Sequence, residues 1–358
     1  MPAPQTLIAG VRAEKLEAPM RSAFEIAGGS LDRLQNVLIQ VRLKGGSVGW
    51  GECAPFQAYN GETQAQALSS ARSAARWLAG LDAARHERLA EALAERVPCA
   101  SARAGLEMAV LDAWARFARV PLWVYFGGAG RRVGIDITVP IVPARDAAAM
   151  ARAIRRFGVR ALKVKVGRRA EEDAERVASA CSAARPRTLI VDGNAGYSPA
   201  EALRLLRLLS RRGIRLDLFE QPVAKDDLDG MAEVARKGRC AVAADESAAS
   251  PADVLRLARR GAAQVVNLKL MKAGVRGSWA MARAARSAGL GLMIGGNVES
   301  HLAMTCSAHL AAGFGGFRFV DLDTPLLLSK DPMRGVRIQR GGIYDLSRVR
   351  SGIGVEPA

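Results

Sequence analysis

Apolar positions follow two rhythms along the chain, and the change falls at the glycine-rich stretch FGGAGRR (126–132). Before it, NVLIQVRLKGGSVGWGEC (36–53) reads as two strands around a Gly45-Gly46 hairpin turn. From Gly61 to Val120, Leu78, Leu81, Leu89, Leu93, Leu106, Val110, Leu111 and Trp114 recur at helical spacings, and Pro98 interrupts the run. The first third therefore predicts a small antiparallel sheet followed by helices. After the glycines, short apolar runs alternate with Ala/Arg/Leu-rich helical stretches. The runs are GIDITVPI (134–141), ALKVKVG (161–167), TLIVDGN (188–194), LDLFEQP (216–222), CAVAADES (240–247), AQVVNLKL (263–270), GLGLMIGGN (289–297) and GFRFVDLD (316–323). Eight such strand–helix units in succession predict an α/β architecture of parallel strands closed into a barrel. A doubly wound open sheet is the competing arrangement. No GxGxxG joins the first run to its helix, so a dinucleotide fold is not indicated.

Composition narrows the class. The chain has 358 residues, 49% hydrophobic and 24% charged, which fits a globular protein and excludes a disordered one. The opening segment has no long apolar core and no run suits a membrane helix, so a cytoplasmic, non-membrane protein is expected. Five scattered cysteines without a CxxC suggest buried thiols, not a disulfide or zinc framework. The net charge of +17 is a hint of nucleic-acid binding. Yet the excess is arginine spaced among alanines, the pattern of solvated helix faces. No helix-turn-helix, zinc-finger or RNP-like signal accompanies it, so no nucleic-acid partner is expected.

The scarce lysines carry more information, with nine in the chain. Lys163 and Lys165 stand two apart in one apolar run, so both point to the same side of a strand. Asp192, Glu220 and Asp245 close three successive runs, Lys269 ends the next, and Asp321 and Asp323 share one face of the last. Singly, an Asp at a strand end caps the following helix. Lysines inside apolar strands are different, because burying an unpaired ammonium is costly. The C-terminal ends of barrel strands form the active face. Three carboxylates there make a hard-oxygen site suited to Mg²⁺. A lysine whose pKa is depressed by a like charge nearby can act as a base. One lysine on each side of a carbon is the arrangement for 1,1-proton transfer next to a carboxylate. The two aspartates of the last run make an anionic clamp for a cation.

Together with VGWGECAPF (48–56) and AGLEMAVLDAWARFARVPLWVYFGG (104–128), the ordered motifs KVKVG (163–167), VDGNAGYSP (191–199), FEQPV (219–223), ADES (244–247), NLKLMKAGV (267–275) and DLDTP (321–325) make a pattern. The sequence resembles the enolase superfamily, muconate-lactonizing-enzyme subgroup, and within it the dipeptide epimerases. The resemblance implies a modified TIM barrel of (β/α)7β type with an N-terminal α+β capping domain completed by the C-terminal tail. The expected boundaries are 1–130 for the cap, 131–325 for the barrel and 326–358 for the returning segment. It implies Lys165 and Lys269 as catalytic bases and Asp192, Glu220 and Asp245 as Mg²⁺ ligands, with Asn194 in the outer shell. Thr138, Lys163, Asn297, Asp321 and Asp323 become substrate-binding residues. The implied reaction is epimerisation of an L-Ala-L/D-Xaa type dipeptide through an enediolate. N-acylamino-acid racemase, o-succinylbenzoate synthase and cycloisomerase are the alternatives on the same fold. The partner is then a small dipeptide, with a homo-oligomer left open. Relatives that prefer Ala-Glu carry an arginine where this chain reads Ala27-Gly28-Gly29, so a neutral or hydrophobic second residue is at least as well suited.

Overall fold

The computed structural model describes residues 4–26 and 29–358, with side chains described outside 22–30. An antiparallel sheet opens the chain, formed by β1 (Ile8–Ile26), β2 (Gly29–Leu43) and β3 (Val48–Cys53) in that order. The hairpin between β2 and β3 agrees with the reading of the sequence. The long strand β1 is an addition to it. Leu16, Ala18 and Met20 are buried while Glu17 and Pro19 face solvent, the alternation of a half-buried strand.

Three helices of more than two turns follow: α1 (Gln64–Leu78), α2 (His86–Arg96) and α3 (Ala100–Phe117). Pro98 lies between the last two, as its missing N–H and fixed φ require. Thr63 and Gln66 form a capping box that starts α1. Helix α3 lies almost on the backbone of β3. A Cβ at Gly51 would collide with the carbonyl of Gly105, and one at Gly49 with the backbone of Ala113. The glycines of VGWGEC are therefore a packing requirement.

The barrel strands are β4 (Ile137–Val139), β5 (Ala161–Lys165), β6 (Thr188–Asp192), β7 (Leu218–Glu220), β8 (Ala241–Ala244), β9 (Val265–Leu268), β10 (Gly291–Ile294) and β11 (Phe317–Val320). They pair in chain order, all parallel. Seven helices alternate with them: α4 (Ala144–Phe157), α5 (Ala170–Ala184), α6 (Pro199–Arg211), α7 (Leu228–Lys237), α8 (Pro251–Arg260), α9 (Leu270–Ser287) and α10 (His301–Phe314). After the last barrel strand the described residues form a 3₁₀ turn, Thr324–Leu327, and short strands but no further α-helix, which gives the (β/α)7β pattern. The Asp136 amide donates to the Val320 carbonyl at 2.9 Å, drawing the two edges of the sheet together.

Strand alternation sorts the side chains. Leu162, Val164, Leu189, Val191, Phe219 and Val242 face the helices and belong to the large outer core. Ile190, Leu218, Ala243, Val265, Met293 and Phe319 fill the barrel interior. Two residues beyond Ile190, Leu218, Ala243 and Phe319 come Asp192, Glu220, Asp245 and Asp321. The barrel is thus apolar at its base and ionic at its mouth.

The tail returns to the N-terminal sheet and helices. The Ser329 amide donates to Pro19 O at 2.9 Å, and the Ile353 amide to Asp112 Oδ1 at 2.7 Å. Arg116 of α3 reaches Val355 O at 3.0 Å and Glu356 Oε2 at 3.2 Å. All five cysteines are free, two buried and three partly exposed. Arginines of the outer helices, such as Arg145, Arg169 and Arg204, are exposed, which accounts for much of the basic excess as solvated surface. No helix among the described residues is long and apolar enough to cross a membrane.

Candidate active site

Register places the first charges. Lys165 on β5 pairs with Asp192 on β6, and Asp192 pairs with Glu220 on β7, so three chemistry-bearing residues stand at one level. Asp245 and Lys269 do not end strands, as the sequence suggested, but stand one residue beyond β8 and β9. Asp321 and Asp323 likewise lie past β11, in the turn that leads into the 3₁₀ segment. The hydrogen bonds of that turn take over from the sheet: the Asp321 amide donates to Ile294 O at 2.8 Å.

The buried layer is an alternating lattice of charge. Lys163 Nζ lies 2.9 Å from Asp192 Oδ2, 2.7 Å from Glu220 Oε2 and 2.5 Å from Asp321 Oδ2. Lys165 Nζ lies 2.6 Å from Asp192 Oδ2 and 2.9 Å from Asn194 Oδ1. Lys269 Nζ is 2.8 Å from Asp245 Oδ2 and sits 4.3 Å from the centre of the Tyr59 ring. Burial works against the charge of Lys163, but Asp192, Asp321 and Glu220 outweigh it and raise its pKa well above the lysine range. The same balance, led by Asp245, raises Lys269. Asp192 is held down at about 2, since Lys163 and Lys165 overcome the burial penalty. Glu220 is pushed up to about 7 by burial and then by Asp192.

Above this layer opens a narrow cleft. Lys165, Lys269, Asp321 and Asp323 line it, with Thr138 and Asn297 at its sides. Phe56 and Tyr59 reach in from the segment after β3, Tyr59 on the single helical turn Gln57–Asn60, and Val298 from the loop after β10. Thr138 binds both acids, its amide donating to Asp323 Oδ2 at 2.7 Å and its hydroxyl to Asp321 Oδ1 at 3.3 Å. Burial, then Asp321, pushes Asp323 up to about 7. Asn297 Nδ2 donates to Ala54 O at 2.9 Å, tying the loop after β10 to the loop after β3. Lys163 does not line the cleft. It is 1% exposed and lies under the cleft floor, because three carboxylates compete for its charge. Of the Ala27-Gly28-Gly29 stretch, where the absence of an arginine bore on specificity, Ala27 and Gly28 lie outside the described residues.

Several contributors escaped the sequence reading. Lys272 donates to Asp245 Oδ1 and Asp245 O at 2.7 Å, and to Asn267 O at 2.8 Å. Asn267 Nδ2 donates to Glu220 Oε1 at 2.7 Å. The Tyr59 hydroxyl donates to Asp245 Oδ1 at 3.1 Å. Gln221 of FEQPV accepts from the amides of Asp245 and Ser247 at 2.9 and 3.2 Å, which interlocks that motif with ADES. Lys272 lay in view three residues after Lys269, within NLKLMKAGV; Tyr59 had no signal.

The acids suit a hard cation by their chemistry. Asp192, Glu220 and Asp245 are fully buried carboxylates at, or for Asp245 one residue beyond, the ends of three successive strands. Glu220 Oε2 and Asp245 Oδ2 accept no hydrogen bond, the nearby ammoniums being poorly aligned with them. Such oxygens retain lone pairs for a cation. Among the described residues no three acids draw together into a ready-made cage, because lysine ammoniums stand between them.

Residues 9–127 match the mandelate racemase/muconate lactonizing enzyme N-terminal domain, and residues 145–358 match the enolase C-terminal domain-like family. The chain belongs to the mandelate racemase/muconate lactonizing enzyme family of the enolase superfamily. An aromatic dipeptide epimerase of Herpetosiphon aurantiacus is 45% identical over 99% of both chains. An L-Ala-D/L-amino acid epimerase of Populus trichocarpa is 44% identical over 92% of this chain and 80% of that protein. The crystal structure of a dipeptide epimerase from Enterococcus faecalis V583, complexed with Mg and the dipeptide L-Leu-L-Tyr, superposes with a TM-score of 0.94. That protein is 28% identical, over 98% of this chain and 99% of the other. In this family's frame, the cleft lies where the barrel mouth meets the N-terminal sheet and its loops.

Proposed function

We propose that the chain is a Mg²⁺-dependent dipeptide epimerase. It moves a proton from one face to the other of the α-carbon of the C-terminal residue in an L-Ala-L/D-Xaa type dipeptide. The observation that carries this reading is one cleft holding two lysines, on strands four apart in an eight-strand ladder, beside an aspartate pair. The same reading assigns residues 1–130 and 326–358 to a cap over a barrel of residues 131–325.

The roles follow from position. When held by Asp192, Glu220 and Asp245, Mg²⁺ would supply Lewis-acid stabilisation of the negative charge that develops on the substrate carboxylate. Carboxylates engaged in that way no longer hold Lys165 and Lys269 as charged partners, which favours a neutral amine at one of them. Lys165 takes the α-proton from one face, and the Lys269 ammonium returns a proton to the other; the reverse direction exchanges the roles. The intermediate is the enediolate of the C-terminal residue. Asp321 and Asp323 receive the substrate's α-ammonium group, and Thr138 keeps both acids oriented. Phe56, Tyr59 and Val298 offer an apolar and aromatic wall, which supports a hydrophobic or aromatic Xaa.

The test is a panel of L-Ala-L-Xaa dipeptides incubated with the protein and Mg²⁺ in D₂O. Mass spectrometry should find one deuteron at the Xaa α-carbon and the second diastereomer accumulating. A panel with no exchange at any member overturns the reading.

A further inference from the structure

Helix α9 is two helical pieces. Gly274 takes φ 76° and ψ 173° within it, so a second helix N-terminus opens at Val275. The amides of such an N-terminus need acceptors. They find one on α3, in the N-terminal part of the chain. Glu107 Oε2 accepts from the Arg276 amide at 3.0 Å, and the Val275 amide also bonds the carboxylate. A Cβ at Gly274 would strike that carboxylate, so the kink and the glutamate fit each other. Arg103 stands one turn earlier on α3, and its Nη2 lies 3.4 Å from Lys272 O, a carbonyl at the end of the first helical piece. Residues four apart share a helix face. One face of α3 therefore grips both sides of the break, and Ala54 adds an amide 3.3 Å from Met271 Sδ.

What is gripped is the turn 269–273, which starts at Lys269 and carries Lys272. Lys165 is secured differently. Arg176 of α5 donates to its carbonyl at 3.3 Å, and Asp192 and Asn194 hold its ammonium, all within the barrel.

We propose that Glu107, with Arg103, is a positioning residue for Lys269, fixing one of the two catalytic lysines from outside the barrel while Lys165 is fixed from within it. The proposal rests on the reading of Lys165 and Lys269 as the two bases. Its consequence is a one-sided defect. The diastereomer whose α-hydrogen faces Lys165 can exchange with solvent by removal and return on that face alone. The other diastereomer needs Lys269 for removal itself.

The experiment compares the wild type with Glu107→Gln and Arg103→Met, in D₂O, starting from each diastereomer separately. Epimerisation should fall by up to about 100-fold in both directions, the scale of a 1 Å misplacement. Exchange without epimerisation should persist from one diastereomer and fall with epimerisation from the other. Equal loss of exchange from both diastereomers, or no loss from either, overturns the proposal. Backbone hydrogen exchange followed by mass spectrometry gives a second readout that needs no substrate. Glu107→Gln should speed exchange in 269–278 and leave 161–167 unchanged; unchanged protection in 269–278 also overturns it. A wild type that exchanges no dipeptide refutes the epimerase reading, a result visible before any variant is made.

Discussion

The ammonium of Lys163 and the carboxylate of Asp321 meet at 2.5 Å across β4, joining the strand next to it on one side to the turn beyond β11 on the other. The same ammonium contacts Asp192 and Glu220, so one buried cation links the proposed amine clamp to the proposed ion ligands. Removing one member of a buried ionic cluster leaves uncompensated charge. Lys163→Met should destabilise the fold by about 3–5 kcal/mol, the usual penalty for breaking a buried pair. Urea unfolding measures it, and an unshifted midpoint would show that the cluster does not depend on this ammonium.

Metal removal should act on the same residues. Chelation is expected to abolish exchange and added Mg²⁺ to restore it. Independently of activity, Mg²⁺ should raise the thermal midpoint, because a ligand that binds only the native state stabilises it. Asp245→Asn should erase most of that rise, as it replaces a fully buried carboxylate with a neutral amide. A rise of the same size in the variant would remove Asp245 from the ligand set.

The aspartate pair separates dipeptides from N-acylated substrates. Asp323 sits beside Asp321, and its pKa is raised by burial first and then by that neighbouring acid. Asp323→Asn should lower kcat/KM for a dipeptide roughly 100-fold, equivalent to losing about 3 kcal/mol of charge-assisted hydrogen bonding. N-acetylated dipeptides should be poor substrates for the wild type and no poorer for the variant. An indifferent variant would favour N-acylamino-acid racemase chemistry.

Why some of this was legible in the sequence and some was not follows from the local signals. Lys163, Lys165, Asp192 and Glu220 interrupt apolar strands, so their oddity is visible without coordinates. Period-two alternation also fixes their side of the strand, and the structure places their side chains in the barrel interior. Glu107 and Lys272 lie in helices, where a charged residue is ordinary. Only the tertiary fold brings Glu107 to the break at Gly274. Strand β1 was hidden because AEKLEA (13–18) is rich in helix formers, and pairing with β2 overrides propensity. The burial of Lys163 depends on three acids from three elements, information that no single window contains.

His309 supplies a pH dependence with a definite sign. Its Nδ1 accepts from the Trp123 amide at 2.9 Å, and its Nε2 donates to Ile353 O at 2.9 Å, which fixes a neutral tautomer. Burial lowers its pKa from 6.5 to about 4. Between those values the unfolded chain binds a proton that the folded chain refuses. Stability from this group is therefore complete above pH 6.5 and is lost as pH falls towards 4. The loss should approach about 3 kcal/mol, because each tenfold drop in proton affinity on folding is worth about 1.36 kcal/mol. His309→Gln can accept and donate at the same two places without titrating. Chemical denaturation of both proteins across this range should show the difference closing as the solution is acidified; parallel curves would deny His309 the role.

The packing of α3 against β3 gives the sharpest test of how the N-terminal sheet reaches the site. At Gly51 a methyl group would meet the Gly105 carbonyl and lie 2.8 Å from the Ala109 amide, both rigid helix backbone. No rotamer relieves such a clash, so α3 itself must move. Gly51→Ala should destabilise by about 3 kcal/mol, the upper end of ordinary overpacking. The displaced helix carries Arg103 and Glu107, so epimerase activity should fall at temperatures where the variant is still fully folded. Gly10 on β1 is the control, since a Cβ there meets nothing within 4 Å. Gly10→Ala should change stability by no more than about 0.5 kcal/mol. Thermal unfolding followed with activity at a temperature below both transitions checks the pair. Equal behaviour of the two variants would mean that α3 and β3 separate at little cost.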